Sequence, residues 1–307
     1  MKGANKWLRA FGVLAVIATL CGLALLLRPV SFFNGSMYLE QKLSGVENHS
    51  VVVDGYRMHY LARGPTTGRV VVLVHGLGGR AEDWRLLTPY LSKAGFRVYM
   101  PDLPGYGRSE RPRDFSYSVR DEAVVLVDFI KALGLQQVDL GGWSMGGWIV
   151  QIVASEHPEV VRRLMVFDSA GLYVRPDWNT NLFMPKTAAE LDQLEALLMP
   201  QPSPIPSFVA RDILRTSRDH AWVNKRALDT MLTGKDVTDR LLPQLKMPVL
   251  FLWGAEDRIT PVAIGQKMHQ LVPQSELDVF DGCGHLAPEQ CTGEMGPRLV
   301  QFLRQQN

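Results

Sequence analysis

The sequence predicts an α/β fold, in which helices cover both faces of a mainly parallel sheet. Short runs rich in valine, leucine and isoleucine alternate with helical stretches along most of the chain. The run VVVLV at residues 70–74 is continuously apolar, which is typical of a strand buried on both faces. Strands that alternate with helices indicate crossover connections, and therefore parallel pairing.

The individual elements follow the apolar pattern in chain order. An opening hairpin is expected around the Asp54-Gly55 turn. Further strands are predicted at residues 70–74, 97–100, 138–141, 163–167, 249–253 and 277–280. Helices are predicted at residues 83–93, 119–133, 145–156 and 288–303.

The alternation breaks between residues 172 and 235, where helical pieces alternate with proline-rich connectors such as PQPSPIP at 200–206. A structureless loop of this length is improbable in a compact domain. We therefore predict an inserted, mostly helical cap at 172–235 over a core formed by residues 50–171 and 236–307. The alternative is a surface excursion without a role in binding.

The N-terminus predicts a transmembrane anchor. Residues 10–27 contain no charged side chain, and at about 1.5 Å per residue they nearly span a hydrocarbon core. Basic residues flank the run on both sides, so residues 1–28 are expected to form a cytoplasmic tip and a single-pass helix. Residues 29–49 would then be a juxtamembrane segment, and the rest of the chain would lie outside the cytoplasm, on the periplasmic face of the inner membrane in a bacterium.

Two further possibilities concern this segment. A cleaved signal peptide is disfavoured, because the run ends in LLLRP at residues 25–29 and offers no small-x-small cleavage site. A homodimer formed through the anchor is compatible with the sequence and is left open.

Charge and cysteine content exclude several classes of function. The chain has 33 basic and 31 acidic residues; four of the basic residues lie in residues 1–28, which leaves 29 basic side chains against 31 acidic ones. No basic footprint for nucleic acid is present. Cys283 and Cys291 flank His285, but three cysteines in all are too few to predict a metal site, and no cofactor is expected. A Cys283–Cys291 disulfide would require an oxidising compartment; two buried thiols are the commoner alternative.

The strongest local motif is G-W-S-M-G at residues 142–146. It lies between a predicted strand and a predicted helix, the context that the G-x-S-x-G motif requires. So sharp a turn strains the backbone of its serine, and glycines two residues to either side remove the steric clashes. Ser144 is therefore the candidate nucleophile.

A serine hydroxyl needs a base at neutral pH, and the base needs an acid that orients it. His285 is the candidate base, because it alone of the seven histidines follows the last predicted strand in a glycine-containing loop. Asp257, which follows a buried strand in WGAED at 253–257, is the candidate acid. Asp168, directly after the strand at 163–167, is the alternate acid; otherwise it would only hydrogen-bond its own turn.

A tetrahedral intermediate needs two N–H donors aimed at its oxyanion. One is expected from Met145, the residue after the nucleophile. The other is expected from Leu77 in the loop HGLGG at 75–79, where glycines let the backbone approach a substrate closely. His75 is expected to brace this loop by hydrogen bonding.

These motifs resemble those of the α/β-hydrolase superfamily, and the resemblance extends over about residues 50–305. The strings that carry it are VHG at 74–76, PDLPGYGRS at 101–109, GWSMGG at 142–147, WGAED at 253–257 and GCGH at 282–285. A narrower resemblance, carried by DSAGLY at 168–173 with the N-terminal span and the proline-rich cap, is to membrane-anchored monoacylglycerol lipases and similar bacterial lipases or phospholipases.

The resemblance implies an α/β-hydrolase fold and a triad of Ser144, Asp257 and His285. It further implies hydrolysis of carboxylic esters through an acyl-enzyme, with a lipid substrate such as a monoacylglycerol, lysophospholipid or phospholipid, and contact with membrane lipid. Relatives that cleave carbon–carbon bonds in ring-fission products, and perhydrolases, are alternatives. A non-catalytic binding protein on the same fold is another, because fold alone does not decide function.

Overall fold

The structure, a computed structural model, describes residues 2–305 of the chain, with side chains from Phe11 onward. Eight strands form one sheet in the order β1-β2-β4-β3-β5-β6-β7-β8. The strands are β1 Glu47–Val53, β2 Tyr56–Arg63, β3 Val70–Val74, β4 Arg97–Pro101, β5 Val138–Trp143, β6 Val161–Phe167, β7 Val249–Gly254 and β8 Glu276–Phe280. The hairpin β1–β2 is antiparallel and β2 pairs antiparallel with β4, whereas every later pair is parallel. The predicted α/β-hydrolase fold with a mostly parallel sheet is confirmed.

Eleven α-helices occur in the described residues. They are α1 Lys2–Leu27, α2 Pro29–Leu43, α3 Thr88–Lys93, α4 Val119–Ala132, α5 Met145–Glu156, α6 Ala188–Leu198, α7 Ser207–Arg218, α8 Ala221–Met231, α9 Val262–Leu271, α10 Ala287–Gln290 and α11 Thr292–Arg304. Two predicted helices are divided. A 3-10 turn, Ala81–Trp84, precedes α3, which begins beside Pro89, and the C-terminal helix is interrupted at Cys291.

Each face of the sheet has its own apolar core. In β3, Val72 and Val74 belong to the core covered by α4, α5 and α9, while Val71 and Leu73 belong to the core covered by α3 and α11. Successive side chains of a strand point to opposite faces, so a continuously apolar run fills both cores at once. This double burial holds the carboxyl ends of β3, β5, β6 and β7 in fixed positions.

The segment between β6 and β7 carries α6, α7 and α8 above the sheet. Thr187 begins α6 with a capping box, because its hydroxyl accepts the Glu190 N–H while the Glu190 carboxylate accepts the Thr187 N–H. Trp148 Nε1 of α5 donates to Asp236 O at 2.7 Å, which fastens the end of this segment to the core. We call residues 172–235 the cap.

The N-terminal region consists of α1 and α2, which meet at Arg28. Pro29 begins α2, because proline is well accommodated in a first helical turn, and the helix occupies most of the expected juxtamembrane segment at residues 29–49. Met37 and Gln41 pack α2 onto the core, and Val30 N–H donates to Asp212 Oδ2 of α7 at 2.9 Å. The α2 helix therefore contacts both the core and the cap.

The transmembrane prediction is not supported by this structure. The apolar run at 10–27 lies within α1, and its described side chains are exposed. Within the part of the chain that the structure describes, no helix combines the length and apolar character needed to cross a membrane.

Candidate active site

Ser144 lies at the turn between β5 and α5, where the sequence predicted it. Its backbone has φ 57° and ψ −117°, a conformation that non-glycine residues rarely adopt. A Cβ on Gly142 would overlap the backbone of Gly146, and a Cβ on Gly146 would overlap the backbone of Val74. Only glycine at both positions lets the turn close this tightly.

Three predicted residues from separate loops form one chain of hydrogen bonds. His285 Nε2 lies 2.9 Å from Ser144 Oγ, and His285 Nδ1 lies 2.8 Å from Asp257 Oδ2. His285 and Asp257 are buried. Because β5, β7 and β8 end at the same edge of the parallel sheet, loops that are distant in sequence meet there.

The Asp257 carboxylate is fixed by further hydrogen bonds. Its Oδ1 accepts the N–H groups of Ile259 and Thr260 at 2.8 and 2.9 Å. The Thr260 hydroxyl lies 2.7 Å from Asp257 Oδ2 and 3.2 Å from His285 Nδ1. Sequence reasoning missed Thr260; its only signal was its position three residues after the candidate acid.

Asp168, the alternate acid, has a different environment. Its Oδ1 accepts Gly254 N–H at 2.7 Å, while Oδ2 has no partner among the described residues. Burial and the nearby charge of Asp257 raise the pKa of Asp168 well above its usual value, which favours the neutral form of this carboxyl. The structure brings Asp257, and not Asp168, into hydrogen-bond contact with His285.

The predicted oxyanion donors lie on two elements beside Ser144. Met145 is the first residue of α5, so its N–H has no acceptor within the helix. Leu77 follows Gly76, and a Cβ on Gly76 would lie 3.1 Å from Ser144 Cβ. The loop at 75–79 therefore passes directly against the serine, and a side chain at 76 would press on Ser144 Cβ.

His75 braces this loop, as predicted. Its Nδ1 lies 2.8 Å from Gly76 O, and its Nε2 accepts Leu103 N–H at 3.1 Å. Burial lowers the pKa of His75, which keeps the ring neutral with one donating and one accepting nitrogen. The neighbouring Asp102 organises its own turn by accepting the N–H groups of Ala81 and Arg108 at 2.7 and 2.8 Å.

The loop that carries His285 has two further attachments. Trp143 Nε1 donates to His285 O at 2.8 Å, so the variable residue of the G-x-S-x-G motif holds the histidine backbone. Cys283 and Cys291 form a disulfide with Cα atoms 6.3 Å apart. The sequence left this pair open and gave no signal for the role of Trp143.

The cap contacts all three loops of the site. Trp178 Nε1 donates to Ile259 O at 3.2 Å in the acid loop, and Leu286 N–H donates to Leu198 O at 3.4 Å in the histidine loop. Asn224 lies over the oxyanion loop, because a Cβ on Gly78 would be 3.0 Å from its Nδ2.

No cluster of three or more histidine, cysteine or carboxylate side chains in residues 2–305 is placed to hold a metal ion.

Known proteins are similar to this chain in sequence and in fold. Lipase 1 of Psychrobacter immobilis is 26% identical over 86% of this chain and 86% of its own length. A 2-hydroxy-6-oxo-2,4-heptadienoate hydrolase of Pseudomonas putida is 30% identical over 71% of this chain and 83% of its own. The crystal structure of a membrane phospholipase A superposes with a TM-score of 0.81 at 26% identity, covering 97% of this chain and 98% of that one.

A family model matches residues 71–294. This range includes Leu77, the turn that carries Ser144, and the residues Asp257 and His285. The expected resemblance to the superfamily and its lipases is confirmed, and the chain belongs to the alpha/beta hydrolase family.

Proposed function

We propose that this protein is a serine hydrolase that cleaves carboxylic esters of lipids through an acyl-enzyme. The observation that carries the proposal is the continuous hydrogen-bond chain from Ser144 Oγ through His285 to Asp257, at a strained turn beside the oxyanion loop. Backbone strain at a buried polar cluster is a mark of functional sites.

In this mechanism Ser144 Oγ attacks the ester carbonyl while His285 Nε2 takes its proton. The oxyanion accepts the N–H groups of Leu77 and Met145, and the imidazolium is stabilised by Asp257. Collapse of the tetrahedral intermediate breaks the bond to the alcohol, which leaves with the proton from His285. Water, deprotonated by His285, then attacks the acyl-enzyme and releases the carboxylic acid.

Two observations support a lipid acyl chain as substrate. We take twelve apolar residues of the cap as candidates for lining an acyl channel; Leu182 is buried, Tyr173 is exposed and the other ten are half-buried. The ten are Leu172, Trp178, Phe183, Met184, Leu194, Leu197, Leu198, Ile205, Phe208 and Trp222. Leu172 and Trp222 also pack against the core, and each of the ten keeps apolar surface that a bound acyl chain would cover. The relatives named lipase and phospholipase support the same class of substrate.

Membrane association is the second part of the proposal. Apolar side chains such as Phe11, Leu20 and Leu27 are 70%, 60% and 71% exposed, which is unfavourable in water and favourable in lipid. We expect washed membranes to retain the full chain in carbonate and high salt, and deletion of residues 2–27 to release it. Protease protection in sealed vesicles distinguishes a helix that spans the bilayer from one that lies on it. Recovery of the full chain in the soluble fraction would contradict membrane association.

Carbon–carbon hydrolysis of a ring-fission product is the second candidate function, favoured by the 30% identity to the heptadienoate hydrolase. Ser144 and His285 would serve that reaction too. Which of the two reactions the protein catalyses would then depend on the substrate that the cap admits.

One panel of substrates tests both functions. Full-length protein would be assayed with p-nitrophenyl esters of increasing chain length, a monoacylglycerol, a lysophospholipid, a phospholipid and a 2-hydroxy-6-oxodienoate. We expect kcat/KM to rise at least about tenfold from the acetyl to medium-chain esters, since each buried methylene contributes about 0.8 kcal/mol. Activity confined to the dienoate would replace ester hydrolysis with the second candidate. A maximum at acetyl esters, without hydrolysis of any lipid, would reject the lipid substrate only.

A further inference from the structure

We propose that the Cys283–Cys291 disulfide positions His285, so that turnover depends on the oxidised state of this cysteine pair. The inference rests on the proposed function, because it takes His285 as the base. Cys283 lies two residues before His285, and Cys291 lies six residues after it, between α10 and α11. The bond therefore closes a small covalent ring that contains the histidine.

A hydrogen bond inside this ring runs beside the disulfide. Gly284 N–H donates to Gln290 Oε1 at 2.9 Å, and these two residues are the sequence neighbours of Cys283 and Cys291. The two cross-links bring the same two stretches of chain together. Loss of the covalent link would leave one side-chain hydrogen bond to hold the ring closed.

The ring is also attached to the acid loop. Glu256, the residue before Asp257, donates its N–H to Cys283 O at 2.9 Å. Cys283 therefore connects the strand that ends before the acid with the loop that carries the base. His285 must place Nε2 near Ser144 and Nδ1 near Asp257 at the same time, and this requires a backbone fixed on both sides.

The chain on either side of the ring has its own anchors. Phe280 of β8 pairs with Gly254 of β7, and α11 buries Met295, Leu299 and Phe302 in the core. Cys283 and Cys291 pack in the same apolar cluster as Phe280 and Met295, but the strand pairing and the other members of that cluster hold these elements without the covalent bond. We therefore expect its loss to loosen residues 281–291 and to leave the sheet and α11 in place.

Reduction would follow ordinary thiol–disulfide exchange. A dithiol such as dithiothreitol transfers two electrons and two protons, which gives two cysteine thiols and the oxidised, cyclic reductant. The bond forms again by exchange with a small disulfide such as oxidised glutathione, or with an oxidised protein dithiol in an oxidising compartment.

The first test compares the double variant Cys283→Ala/Cys291→Ala with wild type and with Cys21→Ala, which removes the exposed cysteine of α1. A p-nitrophenyl ester gives kcat and KM, and a fluorophosphonate gives the rate at which Ser144 Oγ is phosphonylated with loss of fluoride. We expect kcat and the labelling rate of the double variant to fall about ten- to a hundredfold, as for small misplacements of a catalytic group. KM should stay within about threefold, and Cys21→Ala should match wild type.

The second test needs no substitution. If the double variant fails to fold, this test still shows whether turnover depends on the disulfide. Oxidised wild type would be reduced until thiol titration counts all cysteines, assayed, and then reoxidised with oxidised glutathione. We expect kcat to fall on reduction and to return on reoxidation.

A double variant or a fully reduced enzyme that keeps kcat within twofold of the oxidised wild type would overturn the inference. If the oxidised wild type hydrolyses no ester and is not labelled, the proposed function fails instead.

Discussion

The catalytic loops and the cap differ in how their side chains are held. Around Ser144, each of the three loops is fixed by hydrogen bonds between buried groups, and Asp257 accepts hydrogen bonds at both of its carboxylate oxygens. The cap meets these loops through contacts from Trp178, Leu198 and Asn224 and through the Ala196 carbonyl, which accepts a hydrogen bond from Arg258, and most of its apolar side chains are half-buried. The triad side chains are therefore held in one geometry, whereas the apolar side chains of the cap are less completely packed.

Removal of the nucleophile should have the largest effect on turnover. We expect Ser144→Ala to lower kcat by about four to six orders of magnitude, leaving only the contribution of the oxyanion donors and binding. Circular dichroism should match wild type, and fluorophosphonate labelling should disappear. Turnover near the wild-type value in a clean preparation would show that the reaction does not use Ser144.

Asp257 and Asp168 should differ strongly in their contribution to kcat, although both lie near the catalytic loops. Asp257→Asn should lower kcat by about four orders of magnitude, because the amide favours the wrong tautomer of the histidine. Asp168→Asn should cost less than about tenfold, because Asp168 is not the partner of His285 and an amide oxygen can still accept the Gly254 N–H. Steady-state kinetics of both variants check this, and the opposite ranking would move the acid to the end of β6.

A substitution in the cap should alter the preference for acyl-chain length and leave the catalytic step nearly unchanged. Phe183 is half-buried, and its ring lies 5.6 Å from that of Trp178. We expect Phe183→Ala to lower kcat/KM for an octanoyl ester by about tenfold and for an acetyl ester by less than about threefold, because only the longer chain would lose apolar contact. Leu232→Ala, at a 47% exposed position after α8, is the matched control. Equal losses on both esters would argue that Phe183 supports the catalytic loops.

The smallest expected effect is on stability and comes from a buried carboxyl group that lacks the hydrogen bonds seen in the catalytic loops. Glu122 of α4 is buried, and neither carboxyl oxygen has a hydrogen-bond partner among the described residues. Burial raises the pKa of Glu122 well above 4.5, so the folded state favours its neutral form. Its contribution to stability is present below pH 4.5 and is lost as the pH rises through the raised pKa.

Glu122→Gln should therefore stabilise the protein at pH 8 by about 1–3 kcal/mol and have little effect at pH 4. Denaturant unfolding at the two pH values measures the difference. Glu294→Gln, an exposed carboxylate of α11, should show no such contrast. A Glu122→Gln variant that is less stable than wild type at pH 8 would show that the charged form has a partner.

The core was predictable because its signals are local. The apolar run at 70–74 marks a doubly buried strand, and the glycines at 142 and 146 mark a turn that few other residues can form. The order of the motifs then predicted which residues converge at the sheet edge. The cap, Thr260 and the attachment of Trp143 to His285 were less predictable, because these contacts join residues far apart in sequence or depend on side-chain direction.

The contact between α2 and α7 bears on how the enzyme is produced. A chain shortened to begin after α2 would lack the Val30 N–H that Asp212 accepts, and the surface beneath Met37 and Gln41 would lose its cover. Asp212 is a buried carboxylate whose other oxygen is bound by Arg215. Such a chain would gain solubility together with an altered cap, so substrate preferences measured on it would describe the shortened enzyme and not the native one.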